Sequence, residues 1–88
     1  MYKTLTIPVE IHKGDIVTWN WELESGDINC KVLFKDGEVT TDVFKKERIH
    51  SHESSFEALN DGTLSFFFDN SFSWVNSKTV IGIIDIKA

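Results

Sequence analysis

The sequence predicts an all-β protein, a compact antiparallel β-sandwich of jelly-roll-like type with about seven or eight strands. Three observations predict it. Apolar residues recur at every second position in several runs, the spacing of half-buried strands. Clusters of Gly, Asp and Asn separate those runs, as turn chemistry requires. No window carries the 3.6-residue spacing of an amphipathic helix.

The first run has Leu5, Ile7, Val9 and Ile11 alternating with Thr4, Thr6, Pro8 and Glu10. Proline cannot donate to a ladder, so this strand is expected at a sheet edge or interrupted at Pro8. Over residues 17–23, Val17, Trp19, Trp21 and Leu23 alternate with Thr18, Asn20 and Glu22, the clearest strand in the chain. Ile28, Cys30, Val32 and Phe34 then alternate with Asn29, Lys31, Leu33 and Lys35. Residues 39–44 are compatible with a strand, and residues 45–51 read as a solvated loop leading to a strand near residues 54–58. Leu64, Phe66 and Phe68 face one way, with Ser65 and Phe67 opposite. The run over residues 79–87 is apolar on both sides near Ile83 and Ile84, which predicts a central strand covered on both faces. Turns are expected at Lys13-Gly14-Asp15, Ser25-Gly26-Asp27, Lys35-Asp36-Gly37-Glu38 and Asn60-Asp61-Gly62.

A chain of 88 residues holds one domain, read here as residues 1–88 and cut from a larger protein. At this size folding buries only about 60–65% of the unfolded surface, leaving little material to wall off a deep cleft. Seven Phe, three Trp and one Tyr supply bulky core residues. The net charge of −5 argues against nucleic-acid binding, which needs a basic face to displace counterions. It also argues against adsorption to anionic membrane as the main activity, unless one face is locally basic. The one basic cluster, Lys45-Lys46-Glu47-Arg48, is short and interrupted. With the single cysteine Cys30 no intramolecular disulfide forms, and no Asn-x-Ser/Thr acceptor is present. Both features fit a reducing, cytoplasmic home. No signal-peptide-like run and no apolar stretch of about 20 residues occurs.

Chemistry is harder to place on this chain. His50 and His52 would share a face on a strand, with Glu53 next and His12 distant. A zinc site needs three or four converging ligands, and Cys30 sits inside an apolar strand; no metal is expected. Ser51-His52-Glu53 has the residue types of a hydrolase but in consecutive positions, and no glycine elbow accompanies it. No Gly-rich phosphate loop occurs. We therefore expect no enzyme activity and no cofactor. Trp19, Trp21, Phe66 and Phe68 read as core. Phe72 and Trp74 lie in a polar stretch, where one can pack onto the sheet and the other anchor a partner. A sugar-binding platform is the other use of an exposed aromatic there. Asp69 and Asn70 read as a turn-fixing pair.

The segment Gly62-Thr63-Leu64-Ser65-Phe66-Phe67-Phe68-Asp69-Asn70-Ser71-Phe72-Ser73-Trp74, followed by Ser77-Lys78, resembles the C-terminal signature of GOLD (Golgi dynamics) domains. In that family a glycine and an apolar strand lead into Phe-Asp-Asn, then Ser or Thr, an aromatic, Ser, an aromatic, and Ser/Ala-Lys. Val17-Thr18-Trp19-Asn20-Trp21, Gly26-Asp27-Ile28 with Val32-Leu33-Phe34, and Arg48 with Ser51-His52 are similar to its other motifs. The likeness extends from about residue 6 to residue 87. Luminal cargo-receptor members usually carry a cysteine pair, so Cys30 alone places the resemblance with cytosolic members attached to lipid-transfer, oxysterol-binding or acyl-CoA-binding modules. It implies a β-sandwich that binds proteins of membrane traffic, with indirect membrane association at Golgi or ER, and no catalytic residues. Residue chemistry, not the resemblance, makes Phe72, Trp74 and Arg48 the expected partner-binding residues, with the loop of residues 45–51 beside them, because aromatics and arginine are over-represented at interface hot spots. The alternative is a sandwich that holds a lipid or carbohydrate against exposed aromatics.

Overall fold

A computed structural model describes residues 4–70 and 80–88. Seven strands follow one another: β1 (Thr4–Ile11), β2 (Ile16–Leu23), β3 (Ile28–Asp36), β4 (Val39–Ile49), β5 (Ser51–Glu57), β6 (Gly62–Asp69) and β7 (Val80–Lys87). They form a four-stranded sheet in the order β1-β6-β3-β4 and a three-stranded sheet in the order β5-β2-β7. All ladders are antiparallel. No helix occurs among the described residues, and so none there that could cross a membrane. The all-β sandwich read from the sequence is the fold observed.

Period-two patterning puts the expected faces inward. Val17, Trp19, Trp21 and Leu23 from β2, Ile28, Cys30, Val32 and Phe34 from β3, and Leu64, Phe66 and Phe68 from β6 are all buried. The two sheets interlock through aromatic edges. Trp19 meets Phe66 at a centroid distance of 5.2 Å and Trp21 meets Phe68 at 5.1 Å, both edge to face, the arrangement that ring quadrupoles favour. Phe34 reaches Phe56 of β5 at 5.1 Å.

The turns close with local chemistry. Gly14 has φ 94°, and its N–H donates to the Ala58 carbonyl at 2.8 Å. The buried Asp15 carboxylate accepts from the His12 N–H at 2.8 Å, so its burial leaves the carboxylate partnered. β1 lies at a sheet edge, as expected from Pro8, and among the described strands pairs only with β6.

Two expectations are corrected. Residues 45–51 are not a loop: β4 runs on to Ile49 and β5 begins at Ser51. Lys45 and Lys46 pair with Lys31 and Cys30, and ladder bonds to β3 hold this charged stretch extended although most of its side chains are in water. The run near Ile83 and Ile84 is also not a central strand. β7 is the edge of the smaller sheet, with Ile81 and Ile83 exposed at 55% and 73%.

Candidate interaction surface

The chain passes from one sheet to the other between Ile49, which pairs with Ile28, and Ser51, which pairs with Glu22. At this corner Arg48 takes the left-handed φ of 57°. Its N–H donates to Asn29 Oδ1 at 3.0 Å, and its Nε donates to Asp27 Oδ1 at 2.9 Å. The His50 carbonyl accepts from the Leu23 N–H at 2.8 Å, tying the corner to the end of β2. Arg48, expected in a loop, lies near the end of a strand, bonded to Asp27 and Asn29 with its side chain still largely exposed.

Close by, Trp19 Nε1–H donates to His52 Nδ1 at 3.0 Å, and the His52 ring stacks on Phe44 with centroids 3.6 Å apart. Desolvation, with the Lys46 ammonium adding to it, lowers the His52 pKa from its ordinary value. His52 is thereby held as a neutral hydrogen-bond acceptor. His12 is exposed and faces Asp61 across 3.8 Å. Among the described residues, no three His, Cys, Asp or Glu side chains gather into a metal-binding group. Burial pushes the Cys30 thiol up to about 12, away from thiolate reactivity.

Asp69 ends β6, opposite Thr4 and Asn29 in the two flanking strands, and Asn70 follows it and is buried. Phe72 and Trp74 lie outside the described residues.

The surface continues on the opposite side of the sandwich. There β1 and β7 are the two edge strands, and the seam between them opens as an apolar groove of about 130 Å³. Leu5 and Ile7 form one wall and Val80, Ile83 and Ile84 the other, with Trp19, Trp21, Phe66 and Phe68 behind. Gly82 lies opposite Trp21, where an added Cβ would come within 2.6 Å of the Trp21 Cβ. The Trp21 indole N–H is buried with no acceptor among the described residues. On the outer face of this sheet, the register aligns Ile16, Thr18, Asn20 and Glu22 of β2 between two flanking rows. Glu57, Ser55, Glu53 and Ser51 of β5 flank it on one side, and Lys87, Asp85, Ile83 and Ile81 of β7 on the other. That face therefore carries four carboxylates against one ammonium, with two exposed isoleucines along its free edge.

Sequence reading missed this surface because it took the isoleucines of β7 as buried. The signal that could have found it is the row of charged residues on the neighbouring strands: a face that bears Glu22, Glu53, Glu57 and Asp85 is a solvated one. No protein-family model matches the chain, and no curated protein matches it.

Proposed function

We propose that this domain is a non-enzymatic protein-interaction module, working in a cytosolic membrane-trafficking or lipid-transport protein at Golgi or ER membranes. The observation that carries the reading is the exposed pair Ile81 and Ile83 on a free strand edge, 55% and 73% accessible. Isolated apolar residues on a surface are ordinary, whereas adjacent ones beside an apolar groove and an unpaired edge are the makings of a contact site. The interior supports the same reading. Trp19 and Phe66 fill the space between the sheets, and the groove of about 130 Å³ is below the roughly 300–1,000 Å³ usual for small-molecule pockets. The cellular setting rests on the GOLD-like motifs alone.

The test is affinity capture with the immobilised domain, followed by titration of each captured protein in pure form. A saturable one-to-one isotherm is the expected result. If no captured protein binds saturably, the reading fails.

One observation favours a second reading, a sandwich that holds a lipid tail. The groove is lined almost wholly by apolar side chains and ends on Trp19 and Trp21. A saturable change in tryptophan fluorescence on titration with a fatty acid, absent with a soluble sugar, would establish it.

A further inference from the structure

We propose that β7 takes up an added strand from a cationic, extended segment of a partner protein, which seats one apolar side chain in the groove between β1 and β7. The inference rests on the reading of the domain as a protein-binding module and names the partner's chemistry.

The free edges of the two sheets are unequally protected. β1 carries Pro8, β4 carries Lys45, Lys46, Glu47 and Arg48 with two register shifts in its ladder, and β5 carries His52, Glu53 and Glu57. Proline, charge and bulges are the usual devices that keep an edge from pairing. β7 has no proline and no register shift, and its charges, Asp85 and Lys87, lie toward its C-terminal end, clear of Ile81 and Ile83. Its register with β2 runs unbroken from Val80 opposite Leu23 to Lys87 opposite Ile16. No described strand pairs with its outer side. Such an edge offers a row of backbone donors and acceptors to an incoming strand, with side-chain pockets to set selectivity.

The side chains specify that strand. On the outer face it would lie beside Ile81, Ile83 and Asp85, so apolar residues fit the first two and a cation the third. On the inner face it would pass Gly82 and Ile84, next to the groove. A cavity of about 150 Å³ holds benzene, so about 130 Å³ has room for one aliphatic or phenyl side chain. Charge decides between a foreign chain and a second copy. Self-pairing at β7 would continue one acidic face, with Glu22, Glu53, Glu57 and Asp85, into another, between chains of net charge −5. A basic segment is attracted to the same face.

The probe is a ten-residue peptide of alternating Val and Lys, titrated against the 15N-labelled domain with hydrogen exchange read at each amide. Saturable binding is expected, with added protection at β7 amides. A Val–Glu peptide should bind at least ten-fold more weakly, and a Val–Lys peptide N-methylated at alternate amides should lose binding to the unaltered domain. The double variant Ile83→Lys with Asp85→Lys, both at exposed positions, should weaken the Val–Lys peptide ten-fold or more. Equal affinity for the Lys and Glu peptides, indifference to N-methylation, or no binding at millimolar peptide would each overturn the proposal. So would a concentration-dependent dimer that protects β7 in the absence of peptide. A captured protein that binds the double variant as tightly as the unaltered domain would overturn the edge proposal and leave the protein-binding reading intact. Failure to capture any protein would remove that reading, while the peptide titration still decides the edge.

Discussion

The indole N–H of Trp19 donates to Nδ1 of His52 at 3.0 Å, joining the most buried tryptophan of the core to a half-buried imidazole on the neighbouring strand. Nδ1 accepts only while it is unprotonated, so this bond requires neutral His52. Burial, with Lys46 adding to it, lowers the pKa below the ordinary 6.5.

Acid should therefore weaken the fold through His52. With the folded pKa depressed, the unfolded chain takes up a proton first, so the contribution is complete above about pH 6.5 and is lost as pH falls through the folded value. Urea melts of the protein and of His52→Asn, whose amide oxygen can accept at any of these pH values, should differ in their dependence on acid. The midpoint of the unaltered protein is expected to fall more between pH 8 and pH 5. Parallel curves would show that His52 does not titrate with folding.

Trp19 and Trp21 provide a matched pair. Trp19→Phe leaves His52 without its donor, whereas Trp21→Phe removes a buried N–H that has no acceptor among the described residues. An unpaired buried donor costs about 1–3 kcal/mol, so Trp21→Phe should be milder than Trp19→Phe by about that margin, despite equal loss of volume. Trp19→Ala is expected to cost about 3–5 kcal/mol through the cavity it leaves. Denaturant midpoints at constant m measure all three. A Trp19→Ala loss under about 1 kcal/mol would mean that Trp19 does not pack as described.

Gly82→Ala should destabilise by about 1–3 kcal/mol, the usual range for overpacking. The new methyl meets the Asn20 carbonyl at 2.6 Å and the Trp21 backbone at 2.8 Å, so β2 and β7 must separate locally. Unchanged stability in a thermal melt would show that the two strands accommodate it freely.

At the sheet-crossing corner, Arg48→Gly should be more stable than Arg48→Ala by about 1 kcal/mol. Both changes remove the guanidinium and its contact with Asp27, but only glycine takes a φ of 57° without steric cost. The reverse order would mean that the backbone relaxes out of the left-handed region on substitution.

Much of this fold is legible in the sequence because burial and periodicity coincide. Along β2, β3 and β6 every second residue meets the facing sheet, so the inward rows of Trp19, Val32 and Phe66 announce themselves. The pattern fails in β4, where Lys45 through Arg48 lie in water and only pairing with β3 keeps them extended. A ladder bond leaves no trace in side-chain chemistry. It fails again in β7, whose isoleucines look the same in sequence whether covered by a layer or bare. The candidate surface was hidden for that second reason. Arg48 was misplaced for the first.

The pairing scheme also sets the order of events in time. Only β3 and β4 are neighbours along the chain as well as in a ladder; β1 pairs with β6, and β2 with β5 and β7. Non-local ladders of this kind close slowly, on the order of milliseconds to seconds. On a ribosome adding about 5–20 residues each second, Thr4–Ile11 emerges several seconds before Gly62–Asp69 exists to receive it. During that interval the β3–β4 hairpin forms first and β2 can pair with β5 once it follows, but Trp19 and Trp21 still lack Phe66 and Phe68 to pack against. A nascent chain so exposed is a client for holding chaperones, and any stall in translation before β6 would lengthen its vulnerability.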